Sequence, residues 1–126
     1  MGAFRYFALL VAYLACLCGG ALAGNADVIE VVVEANDRGV YSFAVTVAHG
    51  DTGWDHYADR WEILDGDGNI LGTRTLHHPH VNEQPFTRSL SGVEIPNHVT
   101  VVTIRAHDRV HGHGGKVVSV DLNGKP

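Results

Sequence analysis

Residues 40–49 read VYSFAVTVAH, and this stretch decides the fold. Large apolar side chains stand at every odd position from 41 to 47, whereas small or hydroxyl-bearing ones stand between them. Because successive side chains of a strand point to opposite faces, the alternation predicts a strand with one buried face. A turn signal, NDRG at 36–39, separates it from the β-branched run DVIEVVVE at 27–34, which predicts the strand before it.

The chain beyond residue 59 repeats this pattern. Further short segments rich in β-branched or aromatic residues predict strands at 60–64, 70–76, 86–90, 99–107 and 116–122. The run DGDGN at 65–69 is typical of a tight hairpin turn, although its first positions also imitate a calcium loop. About seven short strands in about 100 residues predict an all-β domain, namely an immunoglobulin-like or fibronectin-III-like sandwich, with a small barrel as the alternative. Trp61 is expected in its core.

Residues 1–23 are predicted to be a secretory signal peptide. Arg5 supplies a positive start, an apolar run follows at 7–17, and Ala21-Leu22-Ala23 forms an A-x-A cleavage pattern. The apolar run is shorter than the roughly 20 residues of a membrane span. We therefore expect a single exported domain over 24–126, periplasmic or secreted, with no transmembrane segment. An uncleaved anchor is the alternative.

The expected mature domain has no cysteine, because Cys16 and Cys18 both fall in the predicted signal peptide. Neither follows a good lipobox, which argues against a lipoprotein, and no disulfide is expected in the domain. The formal net charge of the chain is −5, so a nucleic-acid partner is not expected. The unusual component is histidine, with nine residues, all of them after residue 23.

The predicted topology gathers these histidines. Loops of such a sandwich alternate between its two ends, so loops 49–59, 77–85 and 107–115 are expected to share one end. Eight of the nine histidines lie in these three loops, whereas His98 lies at the other end. We call the three loops together the histidine pole.

Clustered imidazoles without thiolates indicate a site for Zn, Cu or Ni. The candidate metal ligands are His49, His56, His77, His78, His80, His107, His111 and His113, with Asp51 and Asp55 as possible carboxylate ligands. Residues expected to hold the ligands in place are Arg88, Asp108 and Arg109. Any single histidine could instead be a solvated or hydrogen-bonding side chain, and His49 has the parity of the buried face of its strand.

Other residues of the histidine pole have predicted roles besides metal binding. Trp54 and Tyr57 could form an aromatic binding platform, or one of them could fold back to close the end of the sandwich. Glu83 and Arg88 are expected to pair and brace loop 77–85. The chain has no G-x-S-x-G motif, so the sequence gives little support for nucleophilic catalysis.

The segments HGDTGWDHYADRWEILDGDGNILGTRTLHHPHVNEQPFTRSL and IRAHDRVHGHGG resemble those of small, uncharacterised exported bacterial proteins. That resemblance implies no activity, and neither does an immunoglobulin-like fold.

Three functional hypotheses follow. The leading one is an exported, non-catalytic metal-binding domain that captures the ion with neutral imidazoles. The second is a module that binds a protein or a glycan through the same loops without metal. The third is a small metal-dependent redox or hydrolytic enzyme with an open coordination position.

Overall fold

The computed structural model of the protein describes residues 7–12 and 24–123. Within these ranges the chain forms strands and no helix: β1 (Phe7–Ala12), β2 (Asp27–Ala35), β3 (Val40–Ala48), β4 (Ala58–Leu64), β5 (Ile70–Thr75), β6 (Phe86–Glu94), β7 (Val101–Asp108) and β8 (Val118–Asp121). Strands β2 to β8 correspond in order to the seven predicted strands, which confirms the all-β prediction. Accordingly, this part of the chain contains no helix with the length and apolar character needed to cross a membrane.

The strands form two antiparallel sheets of four. One sheet has the order β1-β2-β3-β6 and the other the order β5-β4-β7-β8. The hairpin between β4 and β5 confirms the predicted turn at 65–69. There the carboxylate of Asp65 accepts hydrogen bonds from the backbone N–H groups of Asp67 and Asn69, both at 2.8 Å. These are the bonds of a turn, and they account for the acidic pattern.

The first strand lies within the apolar run that the sequence assigns to a signal peptide. Phe7–Ala12 pairs antiparallel with β2. The predicted cleavage pattern at 21–23 lies outside the described residues, so the signal peptide remains a prediction. Among the other strands, β6 is longer than expected, because its pairing with β3 continues past an irregularity in register to Glu94.

The core lies between the two sheets. Phe43, Val45 and Val47 are fully buried in β3. On the facing sheet, alternate residues of β7 are buried in the same way, and Trp61 of β4 has no exposed surface, which confirms its predicted place in the core. The next inward-facing position after Val47 is His49, and the last inward-facing position of β7 is Asp108. The alternation that builds the core therefore continues to two polar side chains, His49 and Asp108, which lie at the edge of the core at the histidine pole.

Candidate metal centre

His49 and Asp108 meet where the buried rows of β3 and β7 end. The Nε2 atom of His49 lies 2.6 Å from Oδ2 of Asp108, and both side chains are completely buried. His49 directly follows β3 and Asp108 ends β7, which lie in different sheets, so their contact closes the core at this end. Burial of an aspartate and a histidine is costly unless each polar atom has a partner, which makes their surroundings informative.

Two more histidines join this pair from the loops. His56 places Nε2 2.8 Å from the same carboxylate oxygen, and His111 places Nδ1 3.5 Å from it. His111 is carried by a short turn in which Asp108 and Gly112 exchange backbone hydrogen bonds of 2.9 and 3.0 Å. The ligand atoms of His49, His56 and Asp108 lie within 4.8 Å of one another, a spacing that can hold a metal ion.

A main-chain oxygen completes the cluster. The carbonyl oxygen of Gly24 lies 3.2 Å from Nε2 of His49, 3.3 Å from Nε2 of His56 and 2.8 Å from Nδ1 of His111. Three imidazole nitrogens, one carboxylate oxygen and one carbonyl oxygen thus lie close together. Of these residues, His49, His56 and Asp108 form the group spaced to hold a metal, and His111 joins them through its contacts with Asp108 and Gly24. We call these five residues the five-donor cluster.

The carboxylate of Asp108 is held ionised. Burial raises its pKa, but the backbone N–H groups of His111 and Val110, together with His49 and His56, more than offset this and hold the pKa well below its usual range. The two backbone bonds, of 2.8 and 2.6 Å, both end on Oδ1. Oδ2 is therefore the oxygen that faces the imidazoles.

Asp51 holds His49 from its other side. One carboxylate oxygen of Asp51 contacts Nδ1 of His49 and accepts the N–H of Ala58 at 3.1 Å. The other oxygen accepts the N–H of His80 at 2.6 Å. A carboxylate that binds the far nitrogen of a histidine fixes the tautomer and the orientation of the ring, as in many metal sites. Asp51 was predicted as a possible ligand, and the structure places it behind His49, on the side away from the five-donor cluster.

The histidines of loop 77–85 take other positions. His80 is buried and stacks on Phe86, with ring centroids 4.0 Å apart. Its Nε2 lies 3.0 Å from a guanidinium nitrogen of Arg88, and its Nδ1 is buried without a hydrogen-bond partner. His78 is exposed with its ring 4.9 Å from that of His80, and His77 is exposed. Within the described residues, none of the three belongs to the group spaced to hold a metal.

His107 and His113 form a neighbouring cluster with different chemistry. His107 places Nδ1 2.7 Å from Asp59, and His113 places Nε2 3.2 Å from Glu62. Glu62 already accepts hydrogen bonds of 2.8 Å from both Arg60 and Arg105. Burial and then the charge of Arg105 lower the pKa of His113. Since guanidinium groups neutralise this carboxylate, the cluster suits a cation poorly.

The remaining predicted residues lie around the five-donor cluster. Asp55 is exposed. Arg88 forms the expected ion pair with Glu83, at 3.2 Å, and Arg109 lies over the ring of Tyr57, 5.7 Å from its centroid. Tyr57 is buried and closes the end of the sandwich, as one alternative predicted, whereas Trp54 is 64% exposed.

Two members of the five-donor cluster, Asp108 and Gly24, were not predicted to be donors. Asp108 was expected to support the ligands rather than to lie among them. Its parity with Val102 and Ile104 could have placed it on the buried face, because the apolar residues of β7 alternate up to it. The sequence could not indicate Gly24 as a donor, because glycine has no side chain and only its main-chain carbonyl can contribute.

Comparison with known proteins gives one informative match. The chain is 41% identical over 97 residues to a protein of Halomicrobium mukohataei named "Putative lipoprotein", a match that covers 77% of this chain and 47% of the relative. The chain thus spans about half the length of that relative. No family model matches the sequence, and no solved structure matches it. The comparisons therefore assign the chain to no characterised family.

Proposed function

We propose that this protein is an exported β-sandwich that binds one divalent transition-metal ion, Zn, Cu or Ni, in the five-donor cluster, without catalysing a reaction. The observation that carries the proposal is the contact between Nε2 of His49 and Oδ2 of Asp108. The positions of the protons on His49 decide what this contact can be.

A carboxylate can only accept a hydrogen bond, so the contact with Asp51 requires that Nδ1 of His49 carries a proton. In a neutral imidazole the other nitrogen, Nε2, then has a lone pair and no proton. That lone pair faces the ionised carboxylate of Asp108 at 2.6 Å and the carbonyl oxygen of Gly24 at 3.2 Å. Acceptors that face one another in a buried site need a positive charge between them. A second proton on His49 would supply it by making Nε2 a donor, whereas a metal ion would bind all three atoms at once.

The donor types favour a transition metal as that cation. Imidazole nitrogen with a carboxylate oxygen suits Zn, Cu and Ni, whereas Mg and Ca prefer oxygen donors alone. Four side-chain donors match the usual coordination number of zinc, and divalent copper binds most strongly to a given nitrogen and oxygen set. Release follows protonation of the imidazoles, so binding weakens as the pH falls.

Two aspartates, Asp108 and Asp51, have different roles in the proposed site. Asp108 is a ligand through Oδ2, because its other oxygen is engaged by two backbone N–H groups. Asp51 is a positioning residue, because its contact with Nδ1 turns Nε2 of His49 towards the metal. The other histidines of the pole, His77, His78, His80, His107 and His113, remain candidates for weaker or transient binding.

Export and the finer fold are part of the same proposal. The name of the relative supports export of this chain, by analogy, and the predicted signal peptide agrees with it. The exported protein is either released, into the periplasm or the medium, or attached to a membrane, and cell fractionation distinguishes these two cases. The division of the seven predicted strands into groups of three and four supports an immunoglobulin-like or fibronectin-III-like sandwich.

The test is metal binding by matched variants. The untagged protein is titrated calorimetrically with Cu(II), Zn(II) and Ni(II), and its metal content after purification is measured by elemental analysis. We expect one metal per chain, and loss of tight binding in the double variant His49→Ala and His56→Ala. The control is His77→Ala and His98→Ala, which removes two exposed histidines from elsewhere. Equal affinity in both double variants would contradict the proposal.

A second candidate function rests on Trp54. This side chain is 64% exposed at the histidine pole, with its ring edge-on to that of Tyr57, 5.6 Å away. An exposed tryptophan beside polar loops can bind a protein or a glycan. Capture of such a partner by metal-free protein, lost in Trp54→Ala, would favour this function over metal binding.

A further inference from the structure

The carbonyl oxygen of Gly24 is the one donor of the five-donor cluster that comes from the main chain. It contacts nitrogens of three histidines, at 2.8 to 3.3 Å. Gly24 is also the residue that directly follows the predicted cleavage pattern, Ala21-Leu22-Ala23. The position at which export processing is expected to create a new amino terminus is therefore inside the metal site.

Contacts with the end of loop 107–115 fix this position. The N–H of Val28 donates to the carbonyl of Lys116 at 2.9 Å, and the N–H of Lys116 donates to Asp27 at 2.8 Å. A Cβ atom on Gly115 would lie 1.8 Å from the carbonyl oxygen of Ala26, so the two backbones touch. These contacts all involve residues after Ala23, so they do not depend on the residues before Gly24, and we expect them to hold the segment that begins at Gly24 beside the cluster after processing.

The local conformation at this position suits glycine alone. Gly24 has a φ of 100°, which disfavours any residue with a side chain. A Cβ atom here would also lie 2.6 Å from Cε1 of His111. The close approach of the glycine to the ring of His111 is what lets its carbonyl oxygen reach the imidazole nitrogens of the cluster.

We propose that Gly24 becomes a bidentate metal ligand when the chain is processed, which deepens the proposed function and rests on it. An export endopeptidase hydrolyses the Ala23–Gly24 peptide bond, so that water supplies the hydroxyl of the new carboxyl group and a proton of the new amine. The α-amine of Gly24 and its own carbonyl oxygen then bind the same cation through a five-membered chelate ring. The ligand is a divalent transition metal, and processing is the step that completes its site.

The chemistry of the nitrogen explains why processing matters. In the unprocessed chain, the nitrogen of Gly24 belongs to a peptide bond, and resonance with the carbonyl makes it a poor donor. A free α-amine has a pKa of about 7.7–8.0, so a metal ion competes with its proton readily near neutral pH. Because the carbonyl oxygen is already placed at the cluster, the amine binds as an intramolecular second donor.

The experiment compares three forms of the same chain with Cu(II) as the probe. The full chain is expressed with its own leader, and the exported product is purified without a tag. Intact mass and amino-terminal sequencing identify its first residue. The second form is the unprocessed chain of residues 1–126, and the third is the exported product with its α-amine acetylated. Calorimetry measures affinity, and electron paramagnetic resonance measures the number of coordinated nitrogens.

We expect the exported product to begin at Gly24 and to bind Cu(II) at least about tenfold more tightly than the other two forms. Its spectrum should report one more nitrogen than theirs. A different amino terminus, including a lipid-modified cysteine, overturns the inference, as do equal affinities with equal nitrogen counts. In those cases binding by the histidines survives, so the proposed function stands. If no form binds Cu(II) or Zn(II), the proposed function fails as well.

Discussion

His49 directly follows a strand of one sheet and Asp108 ends a strand of the other, 59 residues later, yet their side chains meet at 2.6 Å inside the protein. Each stands at the next inward-facing position after an apolar row, the row of β3 for His49 and that of β7 for Asp108. The candidate metal site is thus the polar end of the hydrophobic core, and its geometry depends on the packing of the two sheets. Asp108 is the last residue of β7 and His49 directly follows β3, so both donors are anchored to paired strands, which favours a preorganised site.

Metal should stabilise the folded protein. An ion that binds only the folded chain raises the free energy of unfolding, by about 2.7 kcal/mol when free metal is about 100 times the Kd. Thermal denaturation with and without Zn(II) measures this increase in the wild-type chain. We expect no increase in the double variant His49→Ala and His56→Ala, whereas His77→Ala and His98→Ala should respond like the wild type. A response retained in the first variant would place the ion elsewhere.

Replacement of Asp51 should weaken metal binding although this residue is not a ligand in the proposed site. The two oxygens of Asp51 together accept the ring Nδ1–H of His49 and the backbone N–H groups of Ala58 and His80. Asp51→Asn replaces one of these accepting oxygens by an amide group that can only donate. We expect affinity to fall by about 10- to 100-fold and unfolding to become easier by about 1–3 kcal/mol.

The control for this change is Asp55→Asn, in the same loop but exposed. It should leave both affinity and stability unchanged, as measured by calorimetric titration and by urea denaturation. If Asp55→Asn were the more harmful variant, Asp55 would be the ligand and the positioning role of Asp51 would be wrong.

A side chain at Gly24 should disturb the site. In Gly24→Ala of the unprocessed chain, the new Cβ meets the ring of His111 at 2.6 Å, and the φ of 100° becomes strained. A strain of about 1–2 kcal/mol corresponds to roughly a tenfold loss in affinity if the main chain must shift. Gly50→Ala is the matched control, since nothing lies within 4 Å of a Cβ there. Titration with Zn(II) of the two variants compares them directly, and equal affinities would remove Gly24 from the site.

Stability should fall in mild acid because of His80. Burial and then the charge of Arg88 lower the pKa of His80. The unfolded chain therefore takes up this proton first, and the free energy of unfolding decreases as the pH drops below the unfolded value of about 6.5. In His80→Gln this part of the pH dependence should disappear, whereas His98→Gln, at an exposed position, should retain it.

Urea denaturation of the metal-free chains, carried out at several pH values between about 5 and 7.5, measures the slope. An unchanged slope in His80→Gln would show that the pKa of this histidine is the same in the folded and the unfolded chain, and the prediction would be wrong. Metal must be absent, because the cluster histidines would otherwise add their own pH dependence.

The fold could be predicted from local pattern to a large extent. Alternation at 40–49 and β-branched runs elsewhere predicted the seven strands, because side-chain period and turn chemistry are local properties. Ends of strands were less predictable. The strand expected at 86–90 continues to Glu94 because its partner β3 extends that far, and pairing depends on a distant segment.

The site was predictable as a region but not as a set of atoms. The sequence placed eight histidines at one pole by topology alone, and His49, His56 and His111 do meet there. It could not separate them from His77 or His107, because convergence within a few ångströms depends on how both sheets pack and how each loop turns. The same limit applies to Asp51 and Asp108, because the sequence could not show which of them lies beside Nδ1 of His49 and which lies beside Nε2.

The sequence by itself determined that this protein is all-β, that its core alternates with polar faces, and that its histidines gather in loops. These features follow from the residue period of a strand and from chain order. Only the tertiary structure decided that the buried rows of β3 and β7 end on His49 and Asp108, and that the main chain of Gly24 reaches them. Those contacts join segments far apart in sequence, and a glycine carbonyl has no side chain by which a sequence could reveal it.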